Sequence, residues 1–183
     1  MDIWRKTVAK SKRRDRVMEK DARYWIEKLK LLPHPEGGYY KEVYRDLGVV
    51  KQDALASEFS GDRNLSTAIY YLLEKGDFSC FHRIKSDELW HFYSGDSVNI
   101  YYLDKEKLHT LKLGLNIEKG ESPLCAVPKN TWFAAELQED SEFAIMGCTV
   151  APGFDFTDFE KATKDDLEHF AGNHQELIKR LTF

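Results

Sequence analysis

The chain has 183 residues and a net charge of −4, and 42% of its residues are hydrophobic and 13% aromatic. These values predict one packed globular domain and exclude a chain that is disordered throughout. The charge also argues against a general nucleic-acid binder, although it is uneven: residues 1–30 carry +6 and the other 153 carry −10.

No apolar run reaches the roughly 18–20 residues of a membrane span, and the N-terminus lacks the apolar core of a signal peptide. We therefore expect a cytoplasmic protein with no membrane partner. Residues 1–15 are strongly basic and are predicted to form a solvated, disordered tail. The alternative is a nucleic-acid or nuclear-import patch that would give access to the nucleus. No folded recognition motif accompanies it, so nucleic acid is not expected as a partner.

Residues 16–32 place apolar side chains at helical spacing, and the proline at position 33 would end this helix. The segment PHPEGG, residues 33–38, has the composition of a turn. YYKEVYR, residues 39–45, mixes aromatic, β-branched and polar residues and predicts a strand. Residues 47–64 are polar and are predicted to form a loop.

From Ser66 onward the chain has eight short strand-like segments separated by turn residues: STAIYYLL, FSCFHRI, ELWHFY, SVNIYYL, LHTLKLG, LCAVP, TWFAAEL and FAIMGCTV. This spacing predicts an antiparallel sandwich or barrel. Helical periodicity returns over residues 162–182. The predicted fold is therefore all-β, with a single domain over residues 16–183: a helix at 16–32, a β-barrel at 38–152 and a C-terminal helix at 162–182. The three widely spaced cysteines are predicted to be reduced, buried thiols.

Histidine and carboxylate side chains are concentrated in FHRIKSDELWHFYSGD, residues 81–96. A glycine precedes His82 by six positions, Glu88 follows His82 by six, and a second glycine comes seven positions later. This spacing resembles the first conserved motif of the cupin superfamily, in which a glycine is followed by His-x-His, a glutamate and another glycine. Ile84 stands where the second motif histidine would be.

The second cupin motif, Pro-x-Gly-x-x-His, is altered here to Pro128, Asn130 and Phe133. Asparagine tolerates the left-handed turn that the glycine would make. Blocks across residues 31–160 resemble a cupin-like family of unknown function that groups with the deoxysugar-epimerase type of cupin: LLPHPEGGYYKEVYRD, TAIYYLL, HRIKSDELWHFYSGD, VPKNTWFAA and GCTVAPGFDFTDFE. The resemblance implies a jelly-roll barrel with an internal pocket and a homodimer, and it implies no established reaction.

Metal-binding cupins supply three histidines and a glutamate, whereas only His82 and Glu88 remain here at the four motif positions. Two ligands hold a divalent ion poorly, so no metal and no other cofactor is expected. A metal-dependent cupin, either an oxygenase or a metal isomerase, is an alternative in which further ligands join these two: His91, His34 or Glu42.

Without a metal, His82 and Glu88 are predicted to form an acid–base pair, because a carboxylate bonded to an imidazole fixes its tautomer and raises its pKa. The deoxysugar epimerases that this family resembles use a His base with a Tyr acid, and Tyr70 is assigned that role. The predicted function is a metal-independent epimerase or isomerase acting on a sugar-like or nucleotide-linked small molecule. A non-catalytic cupin that binds a small polar molecule is the rival hypothesis, in which His82 needs no catalytic role.

Other side chains are assigned to ligand binding because they offer a polar group or a flat face on which a sugar or base could stack. Strand alternation places Trp90 on the face of Glu88 and turns His91 outward or into a subunit interface, unless a bulge intervenes. The predicted ligand-binding set is Glu42, Tyr44, Trp90, His91 and Trp132.

Overall fold

A computed structural model describes residues 20–105, 107–170 and 172–183. The basic tail at residues 1–15 lies outside these described residues. Within them, no helix is long and apolar enough to cross a lipid bilayer. The predicted all-β class is confirmed, because strands dominate and the few helices are short and lie towards the two ends of the chain.

Thirteen strands occur in the described residues, and eight of them match, within two residues at each end, the segments predicted from Ser66 onward. YYKEVYR forms a strand over its whole predicted length, and the predicted loop at 47–64 contains a short hairpin. The strands in chain order are β1 Leu32–Pro33, β2 Tyr39–Arg45, β3 Val49–Val50, β4 Arg63–Asn64, β5 Thr67–Glu74, β6 Phe78–Arg83, β7 Asp87–Gly95, β8 Val98–Asp104, β9 Lys107–Leu113, β10 Leu124–Val127, β11 Trp132–Leu137, β12 Phe143–Ala151 and β13 Glu160–Lys161.

Two antiparallel sheets form the body of the protein. The six-stranded sheet has the order β1-β2-β5-β12-β7-β10, and the five-stranded sheet has the order β13-β6-β11-β8-β9. Strands that are distant in sequence lie side by side, since β12 pairs with both β5 and β7. This connectivity is that of a jelly roll, in which crossing connections exchange strands between two packed sheets.

Alternate side chains from both sheets fill the space between them. Tyr71 of β5, Trp90 of β7, Ile100 of β8 and Phe133 of β11 belong to one buried cluster. The Trp90 ring meets the rings of Tyr71 and Phe133 edge-on, with centroids 5.6 and 6.5 Å apart. The three cysteines are buried and unpaired, as predicted. This packing leaves a cavity near His82, between the sheets.

The N-terminal helix α1, Ala22–Leu29, is shorter than the helix predicted over residues 16–32, of which 16–19 lie outside the described residues. The Asp21 carboxylate caps it by accepting the backbone N–H of Tyr24 at 2.8 Å. Lys30 ends it in the left-handed conformation, three residues before the proline that was expected to do so.

The predicted C-terminal helix is divided into α2, Lys164–Leu167, and α3, Gln175–Arg180. Short 3-10 turns separate the two, and one of them begins at Gly172, a residue that disfavours a continuous helix. The helices pack Leu167 and Ile178 against the outer face of the five-stranded sheet, next to Phe81.

A buried ion pair attaches the β3–β4 hairpin to the segment that follows β12. Arg63 donates from Nε and Nη2 to the two carboxylate oxygens of Asp158, each at 2.6 Å, and both side chains are 5% exposed. Arg63 Nη2 also donates to Thr157 Oγ1 at 3.1 Å. Because both ends of the guanidinium are engaged, the pair fixes the position of residues 153–159.

We expect Asp158→Asn to lower the free energy of unfolding by about 3–5 kcal/mol, because the Arg63 charge would remain buried without its partner. Urea denaturation at pH 7 measures this change. The control is Glu142→Gln, which breaks the exposed pair with Lys75 and should leave the midpoint unchanged. Equal midpoints for the two variants would show that the buried pair does not contribute to stability.

Candidate functional site

The imidazole of His82, on β6, is buried, and an oxygen atom lies close to each of its two nitrogens. Its Nδ1 lies 2.7 Å from the Cys80 carbonyl oxygen, which can only accept, so Nδ1 carries a proton. Its Nε2 lies 3.2 Å from Oε2 of Glu36. Phe133 occupies the histidine position of the second motif, and its ring centroid is 4.0 Å from that of His82. The nitrogen that can exchange a proton is therefore Nε2.

The carboxylate that pairs with His82 is Glu36, whereas sequence reasoning assigned this role to Glu88. Glu36 is 7% exposed and lies in the turn between β1 and β2. Ser79 Oγ donates to its Oε1 at 2.9 Å, which leaves Oε2 for His82. Glu36 thus lies against the nitrogen of His82 that can exchange a proton.

Gly37 explains how the turn brings Glu36 to β6. Its φ is +116°, and a Cβ at this position would lie 2.0 Å from the Phe78 carbonyl oxygen. The backbone N–H of Cys80 also donates to the Glu36 carbonyl at 2.8 Å. The composition of PHPEGG predicted the turn correctly, and its two consecutive glycines were the only sequence sign of this close approach.

His34, on the same turn, is a neutral neighbour of the pair. Its Nδ1 accepts the backbone N–H of Glu36 at 3.2 Å and is therefore unprotonated. Burial lowers the pKa of His34, and the opposing effect of the nearby Glu36 charge does not reverse this. Although Nδ1 lies 3.5 Å from Glu36 Oε2, it cannot donate to it.

Glu88, on β7, is 8% exposed and lies beside the thiol of Cys148 on β12. Burial, reinforced by the negative charge of Glu36, raises the pKa of Glu88 to about 8, and the hydrogen bond with Cys148 opposes this only in part. Burial also raises the pKa of Cys148 well above its usual value, so the thiol stays protonated. Glu88 therefore keeps its proton at neutral pH and is an acid.

These groups line a cavity of about 290 Å³. His82 belongs to the five-stranded sheet and Glu88 to the six-stranded sheet, so they face the cavity from different sheets. The lining is completed by Tyr40, Glu42 and Arg45 of β2 and by residues 154–156. This volume is suited to a small molecule.

Arg45 holds together one side of the cavity. Its Nε and Nη2 donate to the two carboxylate oxygens of Glu42 at 3.0 and 2.6 Å. Its Nη1 donates to Asn64 Oδ1 at 2.8 Å, and Nη1 and Nη2 both reach the Phe154 carbonyl oxygen at 3.2 Å. All five N–H groups of the guanidinium are thus engaged within the protein.

Two tyrosines of the predicted set lie away from the cavity. On β5, Thr67 and Ile69 line it, and Tyr70 points to the opposite face, where its ring lies 6.1 Å from Tyr93. On β2, a bulge between Glu42 and Tyr44 reverses the alternation. Glu42 remains in the cavity as expected, whereas Tyr44 is exposed.

The other predicted ligand-binding residues are also separated from the cavity. Trp90 shares the face of Glu88 as predicted, but it lies in the core cluster and not in the cavity lining. His91 points to the outer face, where its Nε2 lies 3.2 Å from Thr149 Oγ1. Trp132 also lies outside, under the guanidinium of Arg83, whose Cζ is 4.3 Å from the ring centroid.

The donor set at the metal position that the resemblance implies does not fit a metal ion. Two of its four positions hold Ile84 and Phe133, which have no donor atom. Nε2 of His82 faces Glu36, and the carboxyl group of Glu88 is hydrogen-bonded to the thiol of Cys148. Throughout the described residues, no group of three or more His, Cys, Asp or Glu side chains has a metal-binding arrangement.

The sequence profile of a family described as Cupin superfamily (DUF985) matches residues 23–162. An uncharacterized protein of Saccharomyces cerevisiae is 30% identical over 158 residues, which are 80% of this chain and 78% of the yeast protein. A hypothetical protein from Leishmania major is 31% identical, with a TM-score of 0.80 over 89% of this chain and 99% of its own. A Shewanella oneidensis protein is 36% identical, with a TM-score of 0.78 over 90% and 99%.

The raised pKa of Glu88 predicts how stability depends on pH. The native carboxyl keeps its proton up to about pH 8, whereas in the unfolded chain it loses it near the ordinary glutamate pKa of 4.5. Between these values unfolding releases a proton, so the native state loses stability as pH rises, by up to about 1.4 kcal/mol per pH unit. Glu88→Gln removes this loss.

Urea midpoints of the wild type and Glu88→Gln between pH 5 and 9 measure the effect. We expect the stability of the variant relative to the wild type to increase up to about pH 8 and then to level off. The exposed variant Glu142→Gln should parallel the wild type throughout. A constant difference between Glu88→Gln and the wild type would contradict a protonated Glu88.

Proposed function

Because the chain belongs to the cupin superfamily family DUF985, we propose that the cavity between its sheets is a small-molecule site and that the protein catalyses proton transfer of the epimerase or isomerase type. One observation carries this proposal: the cavity lies between a His82–Glu36 pair on one side and the protonated carboxyl of Glu88 on the other. Acid–base catalysis requires one group that holds a proton and one that can accept it, and the surroundings of each group set this difference.

In the proposed reaction, neutral His82 removes a proton through Nε2 from a carbon next to a carbonyl group. The electron pair of the C–H bond forms the C=C bond of an enolate as the π pair of the carbonyl moves to its oxygen, and Glu36 stabilises the imidazolium that forms 3.2 Å from its Oε2. Glu88 then gives its proton to the same carbon from the other side, where the C=C pair forms the new C–H bond and the oxygen pair restores the carbonyl. Transfer of a proton from His82 to Glu88 through solvent restores both groups.

In this assignment the acid is Glu88, whereas the sequence pointed to Tyr70. The carboxyl partner of His82 is Glu36, whereas the sequence pointed to Glu88. Sugar-like carbonyl compounds remain the proposed substrate class, since the cavity combines carboxyl groups with the aromatic ring of Tyr40. A nucleotide-linked substrate is less well supported, because Arg45 has no free donor for a phosphate.

The experiment is deuterium incorporation in D2O, followed by mass spectrometry over a panel of aldoses, ketoses and amino sugars. We expect the protein to introduce one deuterium into at least one compound. His82→Asn and Glu36→Gln should each slow this exchange about 100-fold or more, since general base catalysis contributes at least that much.

The matched controls are His109→Asn and Glu142→Gln, which lie outside the cavity lining and should retain the wild-type rate. A compound that raises the melting temperature without any exchange would favour the rival function, a non-catalytic binding protein. Wild-type exchange by His82→Asn would remove His82 from the mechanism.

We also propose that the protein is a homodimer that associates through the outer face of the six-stranded sheet. Leu89 and Tyr93 of β7 and Leu124 of β10 are exposed there, and Leu124 pairs with His91 between the other two. Exposed apolar side chains grouped on one face are typical of protein interfaces.

Light scattering should give twice the 21.3 kDa mass of the chain for the wild type and the single mass for Leu124→Asp. A charge at the centre of an apolar interface would disrupt it. The control is Leu115→Asp, an exposed leucine outside these strands, which should stay dimeric. A monomeric wild type would contradict the proposal.

A further inference from the structure

The ionisable groups of the cavity are mostly acidic. Its lining holds four carboxyl side chains, and Arg45 is the one arginine or lysine among the described lining residues. The carboxyl groups are those of Glu36, Glu42, Glu88 and Asp155. Arg45 offsets the charge of Glu42 in a bidentate pair and has no N–H left for a ligand. Since Glu88 keeps its proton, the carboxyl groups that a ligand meets without an arginine or lysine partner are those of Glu36 and Asp155.

Hydrogen-bond acceptors also outnumber donors where Glu36 meets the two histidines. Glu36 Oε2 lies 3.2 Å from Nε2 of His82 and 3.5 Å from Nδ1 of His34, and the latter nitrogen cannot donate. Glu88, which is more than nine-tenths buried and keeps its proton, lies beside the thiol of Cys148 and adds no charge that would repel a cation. Buried acceptors without sufficient donors are costly, and a ligand that brings N–H groups or a positive charge would satisfy them.

Aromatic rings form the remaining wall. Tyr40, Phe154 and Phe156 line the cavity, and the rings of Phe154 and Phe156 meet at 81° with centroids 5.0 Å apart. The ring of His34 packs edge-on against Tyr40 at 4.4 Å. Aromatic faces attract a cation also where the ring is partly exposed, as that of Phe156 is at 52%.

Two lysines next to the cavity strands, Lys161 and Lys85, are directed elsewhere. Lys161, opposite His82 on β13, places its Nζ 5.4 Å from the centroid of the Phe183 ring. Lys85 places its Nζ 3.3 Å from the carboxylate of Asp158. Neither belongs to the cavity lining, so neither neutralises its carboxyl groups by direct contact.

We infer that the ligand of this cavity is a small organic cation, an amine or quaternary ammonium compound, whose charged group lies between the aromatic wall and the carboxyl side chains. The inference rests on the cavity proposed above as the ligand site, and it specifies the charge of that ligand. An anion such as a phosphate would meet the same carboxyl groups without a free arginine or lysine to compensate.

The test compares choline with 3,3-dimethylbutan-1-ol, which has the same shape and no charge, by isothermal titration calorimetry on the full chain. We expect choline to bind at least tenfold more tightly, and inorganic phosphate not to bind. Phe156→Leu keeps an apolar side chain but removes the ring. It should therefore weaken the binding of choline several-fold and leave the binding of the alcohol unchanged.

Glu36→Gln should weaken the binding of choline tenfold or more. The control variant Phe183→Leu, whose change lies outside the cavity, should bind choline as the wild type does. Equal binding of choline and the alcohol, or tighter binding of phosphate, would overturn the inference. The deuterium experiment separates the two proposals. Deuterium exchange on uncharged sugars, without any binding of choline, would refute the cationic ligand and leave the proposed catalysis standing. Choline binding without exchange on any compound refutes only the catalytic function.

Discussion

The contact between Glu36 and His82 determines what this cavity can do. Two groups that can both carry charge are removed from water at this contact, which is favourable only when each has a partner. The Cys80 carbonyl fixes one nitrogen of the imidazole, and Ser79 fixes one oxygen of the carboxylate. Gly37 then lets the turn approach closely enough for the remaining atoms to meet. Each of these features serves a single contact.

The same burial has the opposite consequence for Glu88. In a site of low polarity a carboxyl group without a cationic partner keeps its proton, and the charge of Glu36 strengthens that tendency. Glu36 and Glu88 thus meet different partners in the cavity, an imidazole in the first case and a thiol in the second. Their positions, beside β6 in one sheet and on β7 in the other, give the cavity an acid and a base that a ligand can meet together.

Arginine has a structural role around this cavity. Arg45 and Arg63 both attach the segment that follows β12 to earlier parts of the chain, the first at the Phe154 carbonyl and the second at the Asp158 carboxylate. These bonds place the aromatic residues of the segment against the cavity. Because both arginines donate hydrogen bonds to other parts of the protein, the cavity that they support remains acidic. The inferred charge of the ligand, which is positive, follows from this.

The sequence by itself determined the strands and the position of His82 on one of them, because alternation of side chains and turn residues are local properties. It did not determine which carboxylate meets His82: Glu36 is 46 positions away, and only packing of the turn against β6 brings it there. Alternation likewise failed at Tyr44, where a single bulge residue reverses the face of the strand. Contacts between distant segments depend on strand order and exact register, and these are decided when the sheets pack.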